Sequence, residues 1–304
     1  MKTTIKKLLA TAMLFASITI AAPAAYSEEL KVIIPSDPSG SYTVRFRIIE
    51  ESLKETWGDD IEYVWTGNCA NGLSTINNIR GPWISMLDVA SNLNESCTNW
   101  PAKEEVLAVE SSPVRLCVRA DSELTLDDFT KPNDNKILLG HSTPANVFQS
   151  WAENFNLAAG SNIQNVPYNS SGGARRGLLA GDVDAVFIST GNSNKLMNSG
   201  DGKCLATTNP NGEDRYGLPA LKDSIDFPYS TMSLVNYYFG GNMTDSKYNS
   251  LRDFFSTLAD GTNPEVVKYQ NALDLTLVSE GQAGIDGMYD ILGQSLNTWK
   301  PLSE

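Results

Sequence analysis

Four groups of residues in this 304-residue chain have the types and spacing for chemistry. His141, the only histidine, stands beside Ser142 in "GHSTPAN". A Ser-His pair suggests acyl transfer, but the stretch lacks the closing glycine of a nucleophile elbow, and adjacent side chains on a loop diverge, so no enzyme is expected. Asp182 and Asp184 in "GDVDAVF" could hold a cation, yet alternate strand positions beside a turn suit a structural cap and a hydrogen-bond partner. Arg175 and Arg176 sit in "GGARRG", which lacks the spacing of a phosphate loop. The fourth group is quieter. "PSDPSGS" and "GHSTPAN" are loops of small polar residues placed between an apolar run and a helical pattern. Such a loop presents unpaired backbone N–H groups at the positive end of a helix. Two of them facing each other would hold an anion without Arg or Lys.

The elements that must position these loops alternate. "LKVII", "IEYVW" and "WISML" read as strands, with a helix between the first two carrying Phe46, Ile49, Leu53 and Trp57 on one face. After "PVRLCVR" the pattern restarts: "KILL" is a strand, "VFQSWAENF" a helix, "NIQNV" a strand, "GGARRGLLA" a helix and "VDAVFIS" a strand. Parallel βαβ units in two lobes follow. From Asp245 onward the apolar spacing of three and four predicts a mainly helical tail.

Composition restricts the setting. Residues 1–27 have the form of a secretory signal, with Lys2, Lys6 and Lys7 ahead of an apolar run from Leu8 to Ala22, and Ala25-Tyr26-Ser27 before the expected cut. The net charge of −13 becomes −16 without those three lysines, which disfavours nucleic acid and anionic lipid as partners. Four cysteines in an exported chain predict two disulfides in one of three connectivities, and the absence of a CxxC pair disfavours zinc. The expected pairing is Cys117 with Cys204, both in strand-like runs, and Cys69 with Cys97. The first pair is expected to staple strands that pass between the lobes.

The segment "NVPYNSSGGARRGLLAGDVDAVFIS", residues 165–189, resembles the Val-Pro-Tyr strand, glycine-rich turn, Leu-Leu-x-Gly helix and Val-Asp strand of the periplasmic substrate-binding proteins of tripartite tricarboxylate transporters, the Bug receptors. "IIPSDPSGSYTVRFRIIEESL" is similar to the first strand and Pro-Gly-Gly loop of that family, "KILLGHSTPANVFQSW" to its Gly-Ser loop and helix, and the tail to its closing helices. The resemblance implies an α/β fold, a type II two-lobe periplasmic binding protein that closes like a Venus flytrap about hinge strands. Lobe one would comprise 28–118 plus 228–304, and lobe two 119–227. It implies a periplasmic, monomeric receptor without metal or cofactor that passes a small carboxylate to the permease subunits of such a transporter. The alternatives are a sensor feeding a signalling partner and a receptor for another kind of solute. By position, the ligand residues would be Ser36, Ser39, Gly40, Ser41 and Tyr42 in the first loop, Ser142 and Thr143 in the second, and Tyr168, Ser170, Ser171 and Gly172 beside them. The chain departs from the family pattern at Ser39 and at Thr43, which replaces an acid, while Arg47 takes the place of the family's helix arginine.

Overall fold

The computed structural model describes residues 29–298 apart from 94, 99–100, 143–146, 228, 232, 262–263, 265–269 and 271–272. The signal-like segment and Thr143 lie outside the described residues. The chain builds two sheets from alternating elements, beginning with β1 (Leu30–Ile34), α1 (Ser41–Ile48), α2 (Glu50–Trp57), β2 (Ile61–Trp65), α3 (Cys69–Asn78), β3 (Trp83–Asp88) and β4 (Val106–Ser112). The second sheet is built from β5 (Val114–Arg119), α4 (Leu126–Thr130), β6 (Asn133–Ser142), α5 (Val147–Ala159), β7 (Ser161–Tyr168), α6 (Ser171–Ala180), β8 (Ala185–Ser189), α7 (Thr190–Asn198) and β9 (Gly202–Thr207). The chain then returns to the first sheet through β10 (Leu234–Gly241), α8 (Asp245–Ala259), β11 (Thr276–Ser279) and α9 (Glu280–Thr298).

The first sheet has the order β11-β4-β10-β3-β1-β2 and the second β7-β6-β8-β5-β9. Pairs β1/β2, β1/β3, β6/β7 and β6/β8 are parallel, as the βαβ pattern predicts, while β10 and β5 run antiparallel to their neighbours. In each lobe the carboxyl ends of the parallel strands therefore share one edge, the place where open α/β sheets generally collect ligands.

Two crossings join the sheets. The first passes from β4 to β5 at Pro113, where proline lacks the N–H needed to continue a ladder. The second runs from β9 to β10. They lie side by side, since Val114 N–H donates to Thr208 Oγ1 at 3.0 Å and Thr208 N–H donates to the Val114 carbonyl at 3.0 Å. Strand β5, expected in the first lobe, thus lies in the second sheet.

Both sheets bury apolar faces. Trp151 stacks on Phe187 and Phe155 in the second lobe, all three fully buried, and Phe227 closes over them edge-on. The expected apolar stripe of Phe46, Ile49, Leu53 and Trp57 is buried against the first sheet, but Ile49 (φ −98°, ψ 5°) divides it between α1 and α2. A short strand, β11, interrupts the tail expected to be mainly helical, where Thr276–Ser279 completes the sheet edge against β4.

One polar contact lies inside this core. Arg45 on α1 is fully buried and its Nε donates to the equally buried Glu110 on β4. Its Nη2 also reaches Ser112 Oγ at 3.2 Å, and Glu110 accepts from Asn236 Nδ2 at 2.7 Å and from the Tyr238 hydroxyl at 3.1 Å. Arg45, and not Arg47, is the buried arginine of this helix. Arg47 lies at the surface over the Tyr63 ring and pairs with Glu50.

The disulfides are Cys69–Cys97 and Cys117–Cys204. Cys117 and Cys204 are directly paired across β5 and β9 in the second sheet, so this bridge fastens two strands of one lobe and does not staple the hinge as expected.

Two outcomes follow for stability. Glu110→Ala leaves the Arg45 charge buried without its counter-ion and is expected to lower unfolding free energy by about 3 to 5 kcal/mol in denaturant titration, whereas a matched apolar pair at both positions restores most of that. Removing the Cys117–Cys204 bridge, which spans 87 residues of sequence, is expected to cost about 4 to 5 kcal/mol by chain entropy, more than removing Cys69–Cys97 with its span of 28.

Candidate functional site

The loop after β1 folds on its own aspartate. Gly40 N–H donates to the Asp37 carbonyl at 2.9 Å, Ser39 N–H donates to Asp37 Oδ1 at 2.7 Å, and Ser39 Oγ donates to the same oxygen. Gly40 is required here, because a Cβ would sit 2.2 Å from Ser36 Oγ. Thr43 helps to hold the turn, accepting from Trp65 Nε1 at 3.1 Å. Gly40 then precedes α1 without any side-chain cap, so the first-turn amides keep their partial positive charge without a capping side chain.

The facing element in the second lobe is α6. Ser170 caps it, its Oγ accepting from Gly173 N–H at 2.9 Å. The same hydroxyl donates to Asp37 Oδ2 at 2.7 Å, and Ser39 Oγ lies 3.3 Å from it. The lobes touch here through backbone as well: a Cβ on Gly172 would sit 2.1 Å from the Ser39 carbonyl oxygen. Glycine at 172 permits that approach.

Behind this contact lies a cavity of about 50 Å³, room for roughly three or four water molecules. Ser36, Gly40, Ser41, Tyr42, Ser142, Ser170 and Ser171 line it. Of the other residues singled out in the sequence, Ser39 and Gly172 form the interlobe contact at its edge, and Tyr168 packs over Gly177 of α6. Asp184 takes a structural position, its backbone N–H and carboxylate bonding the backbone of Leu138 at 2.9 and 2.8 Å. His141 is buried, with Nδ1 3.1 Å from the Ser142 carbonyl oxygen.

The structure adds Leu87, Asp88, Ser91, Phe148, Asn169 and Leu234 to the lining. Asp88 closes the run "WISMLD", and an acid at the carboxyl end of a parallel strand was the signal available in the sequence. Its carboxylate accepts from Ser91 Oγ at 2.6 Å, Ser91 N–H at 2.9 Å and the Tyr42 hydroxyl at 3.2 Å. Burial nevertheless outweighs these bonds and raises its pKa above the usual carboxylate value. Asp37 shows the opposite balance. Burial pushes its carboxyl up, but hydrogen bonds from Ser39 and Ser170, with the charge of Arg176, outweigh that and hold it below the ordinary range. No arginine or lysine lines the cavity, and no cluster of three metal-ligating side chains occurs among the described residues.

Because the folded state lowers the Asp37 pKa, it favours the ionised form. The stabilisation is complete above the unfolded carboxylate value and lost as pH falls through the lowered one. Wild type is therefore expected to melt above Asp37→Ala at neutral pH, with the difference shrinking as acidification passes below the ordinary carboxylate range through the lowered pKa; a constant difference in thermal melts across that range contradicts the assignment.

Comparison with known proteins bears on the fold. Residues 98–239 match the model of the tripartite tricarboxylate transporter family receptor. No match is found among curated proteins. Among solved structures, an R. palustris protein with adipate superposes with a TM-score of 0.74 at 17% identity, covering 89% of this chain and 94% of the other. The periplasmic binding protein BugD superposes with a TM-score of 0.72 at 18% identity, covering 89% and 94%. MatC from Rhodopseudomonas palustris with bound malate gives 0.68 at 15% identity, covering 89% and 97%. The chain has the two-lobe α/β fold of the periplasmic binding proteins, and through residues 98–239 it carries the sequence pattern of the tripartite tricarboxylate transporter receptors.

Proposed function

We propose that the chain is a monomeric periplasmic receptor that captures a small organic acid between its lobes and delivers it to the membrane permease of a tripartite tricarboxylate transporter. The observation that carries this reading is the convergence of two helix N-termini, α1 from one lobe and α6 from the other, on a cavity whose lining contains serines and no cation. Backbone amides at helix starts recognise carboxylates without a counter-charge. Charge-assisted bonds of this kind contribute about 1.5 to 3 kcal/mol each, so a few of them support micromolar binding after the cost of association. The fold neighbours solved with adipate and malate are consistent with a carboxylate as the solute. Among the described residues no helix is long and apolar enough to cross a membrane.

Binding draws the lobes together. An acid seated on the α1 helix start gains contacts to the second-lobe side of the cavity, Ser142, Ser170 and Ser171, only when the cleft is shut, so it favours the closed arrangement by that difference in affinity.

Thermal shift and calorimetry with mono-, di- and tricarboxylates test this directly. An acid at a hundredfold excess over its dissociation constant is expected to stabilise the protein by about 2.7 kcal/mol. Ser142→Trp, which fills the cavity, is expected to weaken binding at least tenfold while the ligand-free melt stays within a few degrees. A refolded protein that responds to no carboxylate defeats the proposal.

A further inference from the structure

The two helix starts that converge on the cavity are not equivalent. The N-terminus of α6 already has an anion beside it, because Asp37 accepts from the capping hydroxyl of Ser170. That of α1 has no side-chain cap. One open helix start suits one ligand carboxylate.

The remainder of the ligand meets a different wall. Asp88 is only 5% exposed yet lines the cavity. Its carboxylate receives Ser91 and the Tyr42 hydroxyl, and no lysine or arginine pairs with it among the described residues. Arg45, the nearest buried cation along the same helix as Tyr42, is committed to Glu110. A second carboxylate brought against Asp88 would place two like charges in a poorly solvated slot, which is strongly unfavourable. An ammonium or hydroxyl brought there would donate to an acceptor whose charge lacks a counter-ion. The long-range field acts the same way, since a chain of net charge −13 repels a dianion more than a zwitterion or monoanion.

Resting on the carboxylate-receptor reading, we propose that Asp88 is a specificity-determining residue, and that the solute is a small acid with one carboxylate and a hydrogen-bond donor, amino or hydroxy, facing the end of β3. Plain dicarboxylates of the same length are rejected. Phe148, Leu87 and Leu234 leave room on the lining for a short apolar body between the two groups.

The test uses matched three- and four-carbon acids. Malonate, propanoate, 3-aminopropanoate and 3-hydroxypropanoate form one series, and succinate, butyrate, 4-aminobutyrate and 4-hydroxybutyrate the other, with alanine and lactate presenting the donor at the 2-position. In calorimetric titration of the wild-type protein, at least one donor-bearing acid is expected to bind ten times or more tighter than its diacid and alkyl counterparts. Asp88→Asn keeps an acceptor for Ser91 N–H and preserves the turn that follows β3, and is expected to shrink that ratio below about threefold. Preference for the amino members indicates charge pairing with Asp88, and preference for the hydroxy members a neutral donor; either supports the proposal. Diacids that bind as tightly as the donor-bearing acids, or a ratio unchanged in Asp88→Asn, overturn it while leaving carboxylate capture intact. Binding of no acid in either series or in the wider carboxylate panel overturns both. Should Asp88→Asn melt far below wild type, the wild-type ratios alone decide.

Discussion

The buried pair of Arg45 and Glu110 is the constraint on which the ligand cleft depends. Two charges removed from water are unfavourable unless each finds its partner and its remaining hydrogen bonds. Here α1 supplies the guanidinium, while β4 and β10 supply the carboxylate, Ser112, Asn236 and the Tyr238 hydroxyl. Only one rotation and one height of α1 on the sheet satisfies all of them. The helix start that faces the cleft is thereby fixed from below, three to four residues away from the amides that would hold a ligand. Apolar burial of Phe46 and Ile49 alone would tolerate sliding, since hydrophobic contact is not directional.

Above that anchor, the loop from Pro35 to Gly40 is held by its own chemistry. Asp37 acts first as a turn-forming acceptor for Ser39 and then as an acceptor for Ser170 of the other lobe. One side chain both shapes a loop and reports the position of the facing lobe. Its lowered pKa is the electrostatic expression of those bonds. Asp88, a short way inside, has comparable partners but deeper burial, and the balance reverses. Two aspartates at one cleft are thus pushed apart by environment, one held in its ionised form by its hydrogen bonds and the other, hydrogen-bonded but without a basic partner, raised by burial against the cavity.

Much of this was legible from local pattern. Period-two and period-three-to-four spacing identified the strands and helices around the cleft, and small polar loops at strand ends marked seven of the residues that line it. What local pattern lacks is partnership across the chain. Arg45 and Arg47 are two residues apart on one short helix, and nothing in "TVRFRII" says which one meets Glu110 on a strand 65 residues on. The same applies to Asp37, whose turn-forming character is visible in "SDPSG" but whose bond to Ser170 depends on two lobes meeting. The run "PVRLCVR" is equally apolar in either sheet, so local pattern leaves β5 on the wrong side of the crossing; Pro113 carries the change of sheet. Cys117 followed β5, so a bridge expected across the hinge became a rung within one lobe.

The contacts between lobes differ in how easily they part. At the cleft mouth the tie is a partly exposed carboxylate and two hydroxyls, groups that water can replace at small net loss. At the other contact, Arg115 on β5 is fully buried and reaches Ser193 at 3.0 Å and Asn194 within its own lobe, Glu213 in the return crossing and Asp274 before β11 in the first lobe. Thr190 at the start of α7 also donates to the Leu273 carbonyl. Separating Arg115 from its acids would leave a buried charge without partners, a far larger penalty than losing Asp37 from Ser170. Together with the paired crossings at Val114 and Thr208, this places the stiff side of the molecule at Arg115 and the yielding side at the mouth. Under the proposed closure, opening would swing the α1 and α6 helix starts apart while the β5 side holds, the motion that reading of the cleft requires.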